Sequence, residues 1–149
     1  MIIGVRPATE SDCEQLFDWV NDTEVRNASF HTEKIDWLEH QSWYLQKLRN
    51  PNSFIFIFEV DRDPAGQIRF DRKDGFFEID YSIDKKYRGK GYGKIIVISG
   101  ISKLKSQLKE PLKFLAKVKE GNLISAHVFQ KIGFKKNNLS NGNFEFIYE

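Results

Sequence analysis

Apolar positions along the chain follow two rhythms, and short polar breaks separate them. Ile2 to Arg6 reads as a strand that Pro7 ends, because proline brings no N–H to a ladder. Thr9, Ser11 and Asp12 offer caps for a helix running to about Asn21, with Leu16, Trp19 and Val20 on its apolar side. Asn21-Asp22-Thr23 breaks that helix. Ile35, Leu38, Leu45 and Leu48 share a helical stripe and predict a second helix over Ile35 to Leu48, closed by Pro51.

The middle of the chain switches to strands. Phe54 to Val60 is a nearly continuous apolar run, as a buried strand requires. The cluster Asp61 to Gly66 predicts a turn and Gln67 to Asp71 the next strand. Asp74-Gly75 suits a hairpin, since glycine takes positive φ without steric cost. From Phe76 to Ile83 the residues alternate, with Phe77, Ile79, Tyr81 and Ile83 on one face and Glu78, Asp80 and Ser82 on the other.

A helix follows over about Lys94 to Leu108, its stripe formed by Val97, Ile101, Leu104 and Leu108 and its end marked by Pro111. Gly100 inside it costs about 1 kcal/mol in propensity, which points to close packing there. Leu112 to Val118 reads as a strand, and Asn122 as the cap of a short helix that stops at Gly133. Two last strands, Phe134 to Lys136 and Asn143 to Tyr148, flank the turn Asn141-Gly142. The order β-α-α-β-β-β-α-β-α-β-β predicts one α/β domain over residues 1–149, about seven strands in a mixed sheet with about four helices on its faces.

Composition narrows the class. The chain has 149 residues, of which 40% are apolar and 30% charged, enough for one self-sufficient soluble core. Thirteen phenylalanines fit a strand-rich interior. A net charge of +2 with scattered lysines does not point to nucleic acid. A single cysteine, Cys13, excludes an intrachain disulfide and a cysteine-based metal cluster, so no metal is expected. No stretch resembles a signal peptide or a membrane span, and the expected setting is the cytoplasm.

The chemistry concentrates in Arg88-Gly89-Lys90-Gly91-Tyr92-Gly93-Lys94, between a predicted strand and a predicted helix. Three glycines let backbone N–H groups converge on one anion, and the helix start adds unpaired donors and its positive dipole end. Arg88, Lys90 and Lys94 add charge. A Walker loop is excluded, because Ile95 stands where a magnesium-holding hydroxyl belongs. The spacing G-x-G-x-G also departs from the dinucleotide fingerprint G-x-G-x-x-G. On its own the loop is either a pyrophosphate cradle or a tight strand-to-helix turn with solvated lysines.

Together with Glu78 to Gly93, the segment Asn122-Leu123-Ile124-Ser125-Ala126-His127-Val128-Phe129-Gln130-Lys131-Ile132-Gly133-Phe134 resembles the two cofactor motifs of the GNAT superfamily of N-acetyltransferases, in the family's order. The resemblance implies a mainly antiparallel sheet whose fourth and fifth strands splay apart, with acetyl-CoA bound in the gap. It implies that the backbone of Tyr81, Ser82 and Ile83 meets the pantetheine arm and that Arg88, Gly89, Lys90, Gly91, Tyr92, Gly93 and Lys94 cradle the pyrophosphate. Asn122 would also meet the pantetheine, with Phe129 and Lys131 near the cofactor. The segment Asp18 to Arg26, with Ser29-Phe30 and Glu39-His40-x-x-Trp43, resembles acetyltransferases of amino-sugar nucleotides in pseudaminic-acid and surface-polysaccharide pathways. It makes Trp19, Phe30, His40 and Trp43 the candidate substrate wall for a small amine acceptor. Related N-terminal patterns occur in acetylases of protein N-termini, and family members are often homodimers.

Acetyl transfer needs a neutral amine, donors for the developing oxyanion and a proton for the departing sulfur. Glu78 and Asp80, on one strand face, are candidate bases, with His31, Glu39 and His40 as further ones; each also reads as a solvated or structural side chain. A backbone N–H near Ser82 or Ile83 is the candidate oxyanion donor. Many family members carry a tyrosine acid where this chain has Phe129, which has no proton to give. Ser125, His127 or water would take that part, or the thiolate leaves unassisted, or else the domain binds acyl-CoA without catalysis.

Overall fold

The strand β2 (Ser53–Val60) is buried on both faces, and its alternation divides the molecule in two. Phe56, Phe58 and Val60 enter a core of 21 buried residues, while Ile55 and Ile57 enter a smaller one with Leu16, Trp19 and Tyr44. The computed structural model describes residues 1–149. Around β2 lie β1 (Ile3–Pro7), β3 (Asp63–Lys73), β4 (Phe76–Ile83), β5 (Phe114–Val118), β6 (Lys135–Asn138) and β7 (Phe144–Tyr148), in the order β1-β2-β3-β4-β5-β7-β6. All neighbours are antiparallel except β4 and β5.

The helices are α1 (Cys13–Val20), α2 (Thr23–Ala28), α3 (Trp37–Arg49), α4 (Tyr92–Gln107) and α5 (Leu123–Ile132). The fifth, α2, was not expected: in Asn21-Asp22-Thr23, Asn21 ends α1 and Asp22 caps a new helix, accepting from the N–H groups of Glu24 and Val25. A second correction concerns α3. Leu38 and Leu45 of its expected stripe are exposed, and the buried positions are His40 and Tyr44. These two side chains fill the interface with α1 and still satisfy their polar atoms: Tyr44 Oη donates to Thr9 O at 2.6 Å, and His40 Nε2 lies 2.9 Å from Cys13 O. A leucine could fill the space but would give up both side-chain hydrogen bonds.

The turn expected over Asp61 to Gly66 shrinks to Asp61 and Arg62, both with positive φ (49° and 72°), so β3 begins at Asp63. Such a two-residue turn matches the twist of its strands. Gly66 is needed within β3, because a Cβ there would stand 2.5 Å from the backbone oxygen of Ser82. The stripe of α4 is as expected through Val97, Ile101 and Leu104, and Ile96 and Gly100 join it. A Cβ on Gly100 would meet two carbons of Ile68 at 2.9 Å, which explains a glycine inside that helix.

At the outer end of the smaller core, Arg6 binds both carboxylate oxygens of Asp12 at 2.9 Å and Glu59 at 3.1 Å. The Arg6 hydrogen bond holds the Asp12 carboxyl below its ordinary value. No helix is long and apolar enough to cross a membrane.

Replacing Gly100 by alanine forces α4 off β3 and is expected to cost about 1–3 kcal/mol in urea unfolding. A depressed carboxyl stabilises the fold above its unfolded pKa, and that contribution is lost as pH falls through the folded one. The melting temperature is therefore expected to fall below about pH 4, and Asp12→Asn to lower the neutral value and flatten that acid slope.

Candidate functional site

Pairing between β4 and β5 stops almost as soon as it starts: Phe77 faces Phe114 and Glu78 faces Leu115, and nothing beyond pairs. The expected splay of the fourth and fifth strands is present. Phe77 N–H donates to Lys113 O at 2.8 Å, so the two-residue repeat of a strand turns the N–H groups of Tyr81 and Ile83 the same way, into the opening. The N–H of Ser82 points to β3 instead. Of the two expected oxyanion donors, only the Ile83 side of the pair faces the gap, and Tyr81 joins it.

The opening leads into a cleft of about 1790 Å3 that runs from the glycine loop to α3. At the loop, Gly89 and Gly91 have φ of 74° and 81°, and added Cβ atoms there would stand in open space. The loop is thus a concavity of bare backbone ending on Gly91, the N-cap of α4, whose first turn presents free N–H groups. Lys90 and Lys94 are exposed beside it. These features fit a pyrophosphate, and a side chain at either glycine would fill the place it needs.

Two residues of the expected cradle are turned elsewhere. Tyr92 is 9% exposed, its ring packs on Phe58 and Tyr87, and its hydroxyl donates to Met1 Sδ, so only its backbone belongs to the loop. Arg88 reaches away from the loop. Its Nη2 binds Asp22 at 2.7 Å, its Nη1 lies 3.1 Å from Glu24 as an ion pair without hydrogen-bond geometry, and its Nε donates to Ile83 O. Burial raises the Asp22 carboxyl, but the Arg88 bond and the N–H groups of α2 outweigh it and hold it below its ordinary value.

On the α5 side, Asn122 caps the helix as expected, accepting from Ser125 N–H at 3.2 Å. Gly93 lets α4 and α5 approach, since a Cβ there would lie 3.1 Å from Val128. Phe129 is buried against Phe134 and Phe146, and His127 and Lys131 are exposed at the cleft. Sequence reasoning missed one group here. Tyr81 Oη and Ser125 Oγ share a hydrogen bond of 3.0 Å, and burial pushes the tyrosine up so that it keeps its proton. The alternation of β4 placed Tyr81 on this face, but its partner lies 44 residues away.

Across the sheet, Glu78 and Asp80 both border the cleft. Asp80 is the more open, with a side chain 57% exposed, and its Oδ2 is held by Gln67 Nε2 at 3.1 Å with Arg69 3.7 Å away. Glu78 is 22% exposed and its Oε2 forms an ion pair with Lys73 at 3.1 Å. The expected substrate wall divides. Phe30 and Trp43 are partly open, with the Arg69 guanidinium 5.0 Å above the Trp43 ring, and His31 and Glu39 are exposed beside them. Trp19 is 5% exposed and donates from Nε1 to Asp84 at 2.7 Å, fastening α1 to the end of β4. His40 is 2% exposed among Phe17, Trp37, Trp43 and Tyr44, and burial lowers its pKa, so it serves as a neutral pin between helices. No group of His, Cys, Asp and Glu could hold a metal ion.

A model of the acetyltransferase (GNAT) domain matches residues 3–135. The uncharacterized protein MJ1062 of Methanocaldococcus jannaschii is 27% identical over 156 residues, covering 99% of this chain and 31% of that protein. The chain thus spans about a third of that relative's length. Among solved structures, spermidine N-acetyltransferase from Vibrio cholerae, in complex with CoA and spermine, superposes with a TM-score of 0.84 at 15% identity, over 99% of this chain and 94% of that one. Aminoglycoside acetyltransferase AAC(6')-Ib, in complex with coenzyme A and kanamycin, gives 0.81 at 19% identity, over 99% and 94%. These two likenesses are of fold.

Gly91→Ala places a Cβ in a left-handed backbone, at about 1–2 kcal/mol, and inside the concavity. Calorimetry is expected to find CoA affinity reduced about tenfold or more, with circular dichroism unchanged.

Proposed function

Because this chain belongs to the acetyltransferase (GNAT) domain family, we propose that it moves the acetyl group of acetyl-CoA to the primary amine of a small acceptor by direct attack in this cleft. The observation that carries the reading is the parting of β4 from β5 beside an open glycine loop. When bound, acetyl-CoA supplies an activated thioester carbonyl.

The chain's own groups have distinct parts. The backbone of Gly89 to Lys94 and Asn122 hold the cofactor, and the N–H groups of Tyr81 and Ile83 meet its pantetheine and carbonyl oxygens. Asp80 takes the amine's proton. Its Oδ2 is fixed by Gln67 while the side chain stays open to the cleft, whereas Glu78 is tied to Lys73. Glu78 then adds negative charge beside the incoming ammonium. In place of Phe129, the hydroxyl pair Tyr81 and Ser125 is the proton-bearing group on the α5 wall. A thiol pKa of about 8.5 makes positioning more important than a strong acid.

The favoured acceptor is an amino-sugar nucleotide of surface-polysaccharide synthesis in the cytoplasm, with Phe30 and Trp43 as stacking surfaces for its base. The solved neighbours bound to kanamycin and spermine support a small amine more generally. Acetylation of a protein N-terminus is the alternative within enzymes. Phe129 favours one reading of another class, a non-catalytic acyl-CoA-binding module.

The test is thiol release from acetyl-CoA against amino-sugar nucleotides, aminoglycosides, polyamines and peptides. Turnover on one small amine supports the proposal, and binding of CoA with no turnover on any acceptor supports the module. Failure to bind CoA defeats both. Asp80→Asn is expected to lower kcat about 100-fold at neutral pH with CoA affinity unchanged, and Glu78→Gln to act mainly on the acceptor's KM.

A further inference from the structure

The helix α2 has six residues and buries one of them, Arg26. Six residues span about 9 Å and are too few to hold a helix by themselves. Side chains from elsewhere hold this one, and they come from the two sides of the splay. At its start, Asp22 and Glu24 meet Arg88, five residues past the end of β4. At its end, Lys119 Nζ, one residue past β5, donates to Asn27 O at 3.0 Å and to Ser29 O at 3.3 Å.

Arg26 stiffens the piece between. Its guanidinium donates to the carbonyls of Val20, His31 and Glu33 and to Ser29 Oγ, gathering both flanks of α2 around one cation. The segment from Asp22 to Ser29 is therefore a strap laid across the open end of the V that β4 and β5 make. It borders the cleft through Glu24, Val25 and Asn27.

We propose that Arg88 and Lys119 are positioning residues that latch this strap across the splay and thereby set the acceptor's wall. Arg88, which the glycine-loop pattern assigns to the pyrophosphate, instead couples that loop to the acceptor side. Only the kinetic part of the consequence rests on the acetyl-transfer reading. With both latches closed, the strap narrows the acceptor's entry, which suits a small amine and disfavours a folded protein terminus.

Two variants separate the latches without touching the glycine loop. Asp22→Asn keeps a helix cap but removes the charge that Arg88 meets. Lys119→Met keeps the aliphatic stem and removes the donor. Hydrogen exchange on the protein without cofactor is expected to speed up about tenfold or more at amides 23–30 in each variant, with the sheet unchanged. The KM for the acceptor should rise about tenfold while the KM for acetyl-CoA stays within about twofold, and Lys119→Arg should restore both readouts. Unchanged exchange in both variants overturns the proposal. So does an Asp22→Asn effect confined to acetyl-CoA, which would return Arg88 to the pyrophosphate. If the wild-type chain does not bind CoA, the functional reading fails while the exchange measurement still decides the latch.

Discussion

Beyond Glu78 the backbone of β4 has a strand on one side only, and peptide groups left unpaired in a half-buried slot are costly until something meets them. The surrounding sequence answers that constraint. Glycines with positive φ bring the next loop back to the slot as bare backbone, and Gly93 lets α4 and α5 close over its other side. Two cations just past the strand ends reach across to α2. The slot persists because β4 is fully paired to β3 along its other edge, and β5 to β7 along its own.

The division of β2 gives the slot two unlike sides. One face of the sheet carries α4 and α5 over a continuous apolar core; the other carries α1 and α3 over a small cluster completed by polar pins such as Tyr44 and His40. Gly91 and Asn122, at the starts of α4 and α5, lie toward the first face, the carboxylates Glu78 and Asp80 and the ring of Trp43 toward the second. Only the gap between β4 and β5 joins them.

Much of this was legible in the sequence where the signal was local. The bounds of β4 came directly from its alternation, and the glycine loop and Asn122 were placed by residue type and spacing. What escaped depended on partners far along the chain. Arg88 reads as a loop cation until Asp22, 66 residues earlier, is brought beside it. Trp19 reads as a stacking ring until Asp84, 65 residues later, takes its N–H. The face of α3 was misjudged because periodicity counts leucines as buried and histidine as polar, while here aromatic stacking and two carbonyls decide the matter.

The strap over the splay is attached by side chains and adds no strand to the sheet. Its fastening and the sheet's integrity are therefore separable in evolution. Substitutions among residues 22–36 can reshape the mouth of the cleft while the apolar framework and the glycine loop stay as they are. A lineage built this way can vary that mouth by small steps, without first passing through an unfolded intermediate sequence.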